Sequence, residues 1–402
     1  MALVGKAFNL KGKVQHYAWG GFDYLQNLLG FENSAHKPCA EYWMGAHPSA
    51  SSIISDGENS VSLNEYITNN PAETINKQVF DRFGELPYLF KILDVKEMLS
   101  IQVHPTKKEA EKGFDLEEAA GIPITAPNRN YKDRNHKPEV MVALSEFWLL
   151  HGFKSEAALE KTLEDIKEFN VLIGLFRQQG YKGLYQFVME MSQSNIDTLL
   201  HSLVERELRR KSNNELTKAD AGWWVCKLFE DGQEIKNIDR GIFSIYFFNI
   251  VKANAGEAVF QGAGIPHAYL EGQNVELMAN SDNVLRGGLT PKHIDVPELM
   301  KHTLFEPVIP NVMSGTDVGN NELHYPCPVP DFGIKKISLD GNKHQSQAYS
   351  LEIIIAIEGG AVLNGSRNLV IKQGEAVALF PGEEYTIESS GKCILYKAFV
   401  PS

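Results

Sequence analysis

The sequence predicts a mainly β protein in which two barrel-like or sandwich-like regions are separated by an inserted helical domain. Three observations carry this prediction: a change of periodicity near residue 152, a return to short strand-like runs after residue 240, and an echo between the two strand-rich regions. At 402 residues the chain is longer than one hydrophobic core usually serves, so a division into domains is expected.

From 1 to 151, runs such as Leu-Pro-Tyr-Leu-Phe-Lys-Ile-Leu-Asp-Val from Leu86 and Leu-Ser-Ile-Gln-Val-His-Pro from Leu99 alternate with Gly, Pro and Asn clusters, the pattern of strands with insertions. Over 152–240 the texture is helical. Leu159, Leu163, Ile166 and Phe169, then Ile196, Leu199, Leu200 and Leu203, recur at helical spacing among Glu, Lys and Arg. From Gly241 the crowded aromatic and β-branched residues of GIFSIYFFNIVKANAGEAVF predict a buried strand, so that 241–318 rejoins the first β region. The stretch 319–402 reads as consecutive short strands with turn signals between them. The echo lies in Gly256-Glu257-Ala258-Val259, followed eleven residues after its glycine by His267, and Gly374-Glu375-Ala376-Val377, followed at the same distance by Tyr385. Both resemble the second motif of cupin barrels, in which a turn glycine and a strand bring a histidine to the barrel mouth. The resemblance implies two cupin-like jelly-roll barrels, the first keeping a ligand and the second carrying Tyr385 where a ligand would stand and holding no metal.

Composition excludes several classes. Hydrophobic residues make up 43% and charged residues 22%, far from a disordered profile. No run approaches the ~18 apolar residues of a membrane span, and the opening MALVGKAFNLKGKVQHYAWG lacks the apolar core of a signal peptide, so a cytoplasmic protein without membrane association is expected. Cys39, Cys226, Cys327 and Cys393 form no C-x-x-C pair, which disfavours both a disulfide framework and a thiolate metal site. The net charge of −12 disfavours nucleic acid as a partner, and an anionic substrate would need a local positive cluster. A monomer or weak dimer is expected.

One constellation points to a metal. Gln102 and His104 stand two apart in a strand-like run and therefore share a face. Glu139, in Asn-His-Lys-Pro-Glu, and His267, in Pro-His-Ala-Tyr-Leu, are further candidates. Two imidazoles, a carboxylate and an amide oxygen form a mixed nitrogen and oxygen set suited to zinc or another divalent first-row ion, in a catalytic rather than a structural site.

Six segments in order resemble the type I mannose-6-phosphate isomerase family: Gln15 to Gly20, Glu41 to Pro48, Leu86 to Lys91, Ser100 to Pro105, Tyr131 to Glu139, and the block from Pro266 to Pro291. The stretch beyond about 320 matches loosely. The resemblance implies one Zn2+ per chain on Gln102, His104, Glu139 and His267, with Arg286 catalytic. It also implies a phosphosugar substrate, mannose 6-phosphate interconverting with fructose 6-phosphate by proton transfer through a cis-enediol. Lys137, His136, Asp282 and Glu276 are the acid or base candidates near the ligands. Arg286 stays protonated and so stabilises charge rather than moving a proton. Lys91, Lys137, Arg286 and Lys292 would form the positive cluster, and Trp19, Glu41, Ser100 and Tyr269 complete the candidate substrate contacts. The segment 109–135, rich in Gly, Pro, Asn and charge, reads as a lid or a surface loop. Two other functions remain open to the same residues: an iron-dependent cupin oxygenase and a non-catalytic sugar-phosphate-binding cupin.

Overall fold

The computed structural model describes residues 3–229 and 234–402. Most of the chain is sheet. A ten-stranded sheet system holds the order 248–253, 147–153, 267–279, 88–95, 41–45, 13–15, with 139–143 and 258–261 paired beside strand His267–Ala279. A nine-stranded sheet runs 316–317, 322–325, 333–340, 392–399, 352–358, 376–379, 7–11, 53–55, 60–62, and a four-stranded sheet closes over it. Strand Ala7–Lys11 thus lies beside Ala376–Leu379, with Ala7 opposite Leu379, and the first and last regions of the chain share one sheet.

Alternation along the strands decides what faces the site. In Glu139–Ala143, Val140 and Val142 enter the core cluster shared with Phe8, Phe90, Ile353 and Tyr396, while Met141 and Ala143 face a second cluster with Leu93, Phe147 and Tyr269. Glu139 has the parity of Met141 and so faces inward. In Tyr88–Val95 the same rule sends Phe90 and Ile92 to the shared core and turns Lys91 to the face of Leu93 and Val95. Strands buried on both faces explain why the sequence shows continuous apolar runs there rather than clean alternation.

Between strands Phe147–Phe153 and Phe248–Ala253 the chain is helical, with helices at Glu156–Asp165, Ile173–Glu190, Gln193–Ser212 and Ala221–Lys227. Ser155 and Ser192 cap two of them, each hydroxyl accepting an N–H of the first turn. The long helix Ile173–Glu190 breaks at Gly180, whose φ of 62° belongs to the left-handed region that glycine enters without a Cβ clash. Leu159, Leu163, Phe169, Ile196, Leu200 and Leu203, all expected to line the apolar face, are fully buried in one cluster with Ile101, Val103 and Leu270 of the sheet. That contact seats the helices directly behind the strands that carry Gln102 and His267.

Two expectations are corrected. Gly241–Phe247 is a helix, not the start of a buried strand, and the strand begins only at Phe248. All seven residues of that helix are buried, so it has no polar face, and an apolar run without periodicity reads the same for a buried helix as for a strand. The segment 109–135 is not a loop throughout: Lys107–Ala119 is a helix capped by Thr106. Buried Glu117 accepts the N–H groups of Asn130 and Tyr131 and pairs with Arg129 at 2.9 Å, which fastens the helix to the following turn.

The echo between the two β regions extends to the backbone. The N–H of Gly256 donates to Ala143 and the N–H of Ala143 to Glu257; the N–H of Gly374 donates to Ala356 and that of Ala356 to Glu375. Glu257 and Glu375 each accept, through a side-chain oxygen, the N–H three residues upstream.

Candidate metal centre

The structure gathers the predicted ligands from three chain segments, around residues 102–104, 139 and 267. The Nε2 of His104 lies 3.5 Å from one Glu139 oxygen, and the Nε2 of His267 lies 3.4 Å from the other. The ligand atoms of these three residues fall within 4.8 Å of one another, and all three side chains are buried. Gln102 is the register partner of both His267 and Arg286 and lines the same cavity as Glu139 and His267.

Ring orientation is set by backbone carbonyls. Nδ1 of His104 sits 2.9 Å from the carbonyl oxygen of Asn283, and Nδ1 of His267 sits 2.9 Å from that of Ile265. A carbonyl only accepts, so each Nδ1 carries the proton and each Nε2 offers its lone pair toward Glu139. His104 Nε2 is buried and makes no hydrogen bond. An orphaned lone pair facing an imidazole and a carboxylate is costly unless a cation takes it up. Burial pushes the His104 imidazole down to about 4. Burial also pushes Glu139 up, but the Lys137 ammonium beside it outweighs this and holds the carboxyl well below its ordinary range. The neutral His104 imidazole and the ionised Glu139 carboxylate are in the protonation states that metal ligation requires.

The His104 shift has a consequence for the metal-free protein. The imidazole is neutral when folded down to about pH 4, while an unfolded histidine gains its proton near 6.5. Its contribution to stability is therefore present above pH 6.5 and is lost as pH falls from 6.5 toward 4. Chelator-treated protein should lose on the order of 2 kcal/mol over that window in denaturant unfolding, and His104→Gln should flatten the loss; an unchanged slope would contradict the assignment.

Around the ligands lies a charged cavity lined by Glu41, Lys91, Leu93, Leu99, Gln102, Lys137, Glu139, His267, Ala268, Tyr269 and Glu276. Lys91 reaches Glu276 at 3.1 Å and Glu41 at 3.5 Å, and Trp43 donates its indole N–H to Glu41. Burial alone would lower the Lys91 ammonium, but Glu41, Glu276 and Glu139 outweigh it and keep it above its ordinary value. Burial raises the Glu276 carboxyl. Lys137 places Nζ 3.0 Å from Glu139.

Other predicted residues stand apart from the cavity wall. His136 turns its Nε2 to Asp331 at 3.0 Å, and Asp282 faces His47 at 3.4 Å. Trp19 stacks on Tyr17, with ring centroids 5.9 Å apart, and packs beside the cluster of Leu93 and Tyr269. Ser100 is half-buried, one residue before Ile101, whose N–H is taken by Gly288. Arg286 pairs through its backbone strand with Gln102, and its guanidinium has no hydrogen-bond or ion-pair partner among the described residues. Lys292 is lowered by burial and by its cationic neighbours Arg286 and Lys132. The positive cluster expected from Lys91, Lys137, Arg286 and Lys292 is thus split. The first two are paired with carboxylates, and the cations without a close ion pair among the described residues are Arg286, Lys292 and Lys132, the last of which acts at longer range on Asp282. Lys132 was missed, although it sits inside the quoted Tyr131 to Glu139 segment. The Asn283 carbonyl carries no signal in a sequence, because any residue supplies one.

A buried, neutral-imidazole and carboxylate donor set, open on one side to a cavity of paired charges with cations free of close ion pairs beyond it, defines a mononuclear metalloenzyme acting on a polar, anionic substrate. The comparisons agree. Residues 7–156 match the family described as phosphomannose isomerase type I, catalytic domain. The mannose-6-phosphate isomerase of Escherichia coli is 38% identical over 394 residues, covering 95% of this chain and 97% of its own length. The human mannose-6-phosphate isomerase is 34% identical and covers 89% of this chain and 88% of its own. A crystal structure of mannose 6-phosphate isomerase from Salmonella typhimurium, bound to fructose 6-phosphate and zinc, superposes with a TM-score of 0.87 at 36% identity, covering 99% of this chain and 100% of that one. The chain belongs to the type I mannose-6-phosphate isomerase family.

Proposed function

We propose that this protein is a zinc-dependent aldose-ketose isomerase that interconverts mannose 6-phosphate and fructose 6-phosphate. The observation that carries the reading is the orphaned Nε2 of His104 aimed at Glu139 and His267, with Gln102 on the same cavity wall. His104, His267, Glu139 and Gln102 would hold one zinc ion, whose charge would polarise the sugar's carbonyl and hydroxyl oxygens.

The chain's own groups do the rest. The C2 proton of the open-chain sugar is acidic only while charge on the adjacent oxygens is stabilised, and its carrier must face the cavity. Of the four acid or base candidates, two line the cavity: Glu276, with its burial-raised carboxyl, and Lys137, with Nζ on Glu139. Lys91, held protonated between Glu41 and Glu276, donates to substrate oxygens, and Tyr269 walls the same space. Arg286 stabilises negative charge developing on the enediol oxygens, and together with Lys292 and Lys132 it presents the positive field that a phosphate needs. His136 and Asp282, tied to Asp331 and His47, serve to hold the loops that carry Lys137 and Arg286.

The iron-oxygenase and non-catalytic readings are not favoured, since the family's named members are isomerases. A coupled assay for fructose 6-phosphate formation decides the matter: activity should disappear on complete chelation and return with zinc. Activity that survives chelation would refute the zinc mechanism, and phosphosugar affinity without turnover in the zinc-loaded protein would refute the isomerase.

Architecturally the proposal is a catalytic cupin-like jelly roll over 1–151 and 241–318, a helical insert over 152–240, and a second cupin-like barrel over 319–402. The matched backbone hydrogen bonds at Gly256 and Gly374 support the pairing of the barrels. A cytoplasmic monomer or weak dimer that binds no nucleic acid fits the acidic charge of −12, and no described helix is long and apolar enough to cross a membrane.

A further inference from the structure

The two β regions can be matched residue by residue through their strand registers, without reference to side chains. With Gly256 and Gly374 as anchors, Val142 opposite Ala258 corresponds to Ile355 opposite Ala376, so Glu139 corresponds to Glu352. The next ladder pairs Met141 with Glu276 in one region and Ile354 with Lys397 in the other, so Glu276 corresponds to Lys397. One strand further, Lys91 lies opposite Glu276 and Lys335 opposite Lys397. At the outer strand Glu41 faces Leu93 as Glu322 faces Ile337. Gln102 opposite His267 corresponds to Ser346 opposite Tyr385.

The matched positions carry a second buried polar cluster, and its charges are rearranged in a definite way. Glu322, His344, Glu352, Tyr385 and Lys397 are all buried. Lys397 Nζ lies 2.6 Å from Glu322 and 3.4 Å from the Tyr385 hydroxyl, which donates to Glu352 at 2.6 Å. Lys335 reaches the other Glu322 oxygen at 2.6 Å, and His344 faces Glu322 at 3.6 Å. In the first region the carboxylates at these positions are Glu41, Glu139 and Glu276, against the ammonium of Lys91 with Lys137 nearby. The second region keeps Glu322 and Glu352, keeps Lys335, and replaces the third carboxylate by Lys397. The His267 position becomes a tyrosine that donates to the carboxylate instead of offering a lone pair.

The geometry points to a counterpart of the metal site in the second β region whose cation is the Lys397 ammonium, built into the chain in place of an external ion. Two carboxylates are balanced by two ammonium groups, so the cluster closes on itself in a low-dielectric interior, where an unmatched carboxylate would be expensive. The Tyr385 hydroxyl donates to one Glu352 oxygen and the Lys397 ammonium lies against one Glu322 oxygen, while the His344 Nε2 facing Glu322 makes no hydrogen bond. The consequence is a permanently loaded support beneath the sheet that carries Ala7–Lys11, insensitive to the metal supply on which the first region depends.

The groups facing Lys397 are Glu322, Lys335, His344, Glu352 and Tyr385, and the test isolates their coupling by a double-mutant cycle in the full-length, zinc-loaded protein. Lys397→Met should lower the Tm by about 10 °C at pH 8. The loss should shrink toward pH 5, because Glu352, already raised by burial, and Glu322 take up protons once the ammonium is gone. Glu322→Gln in the Lys397→Met background should recover at least half of the lost Tm, although Glu322→Gln alone destabilises. A Lys397→Met loss that is equal at pH 8 and pH 5, or a double variant whose losses simply add, would make Lys397 a packing residue and overturn the assignment. If Lys397→Met does not fold, the double variant still decides: folded protein supports the proposal, and failure of both overturns it. The metal content of folded variants, by elemental analysis, should stay that of the wild type; a drop would show that Lys397 acts on the first site instead.

Discussion

Glu139→Ala is expected to remove both zinc and turnover, with fructose 6-phosphate formation falling by at least about a thousandfold. The carboxylate meets both imidazoles, one through each oxygen, so no other side chain can bridge them. It also anchors Lys137 at 3.0 Å, and its loss frees that ammonium into a cavity that already holds Lys91. Two positive groups would then face neutral imidazoles, and cation affinity would fall for electrostatic as well as coordinative reasons. Elemental analysis beside the coupled assay checks this. Full activity in a variant shown to hold no metal would end the zinc reading.

Arg286→Ala should give a different signature: turnover down by about a hundredfold to a thousandfold with zinc content unchanged. The arginine is in register with Gln102 but makes no contact with a carboxylate among the described residues, so removing it leaves no buried acid unpaired. Burial lowers the guanidinium somewhat, yet it remains a cation throughout the working range. Arg286→Lys should recover only part of the rate, since an ammonium cannot reproduce the planar fork. A parallel loss of metal and rate would mean that the residue shapes the Gln102 strand rather than the reaction.

The grouping of His104, Glu139 and His267 was legible in the sequence through the ordered segments that resemble the family, since spacing alone relates only Gln102 and His104. What the sequence could not show was which charges cancel. Lys91 looks like a member of a phosphate-binding cluster until Glu41 and Glu276 are brought against it by strands far apart in sequence, and Lys137 until its side chain is seen to turn back on Glu139 two residues on. Lys132 gains its place only from the proximity of Arg286 and Lys292. The helical texture of 152–240 was readable because its helices keep a polar face. Gly241–Phe247 was not, because complete burial erases the periodicity on which the distinction rests. Lys107–Ala119 was hidden by the Gly and Pro residues that follow it, and its Thr106 cap with Glu109 three residues later was the overlooked signal.

The placement of Ala7–Lys11 beside Ala376–Leu379 bears on how the molecule is made. One edge of this strand pairs with nearby Ile53–Ser55, whereas the other is covered only by residues roughly 360 positions further on, a very long loop to close. The C-terminal region in turn cannot complete its sheet from its own residues, so it is expected to finish folding only after the catalytic region has docked that strand in reach. Phe8 and Leu10, fully or nearly buried, belong to the cluster that also holds Phe90, Val140 and Ile353, so the catalytic region covers them in part before the last strands arrive.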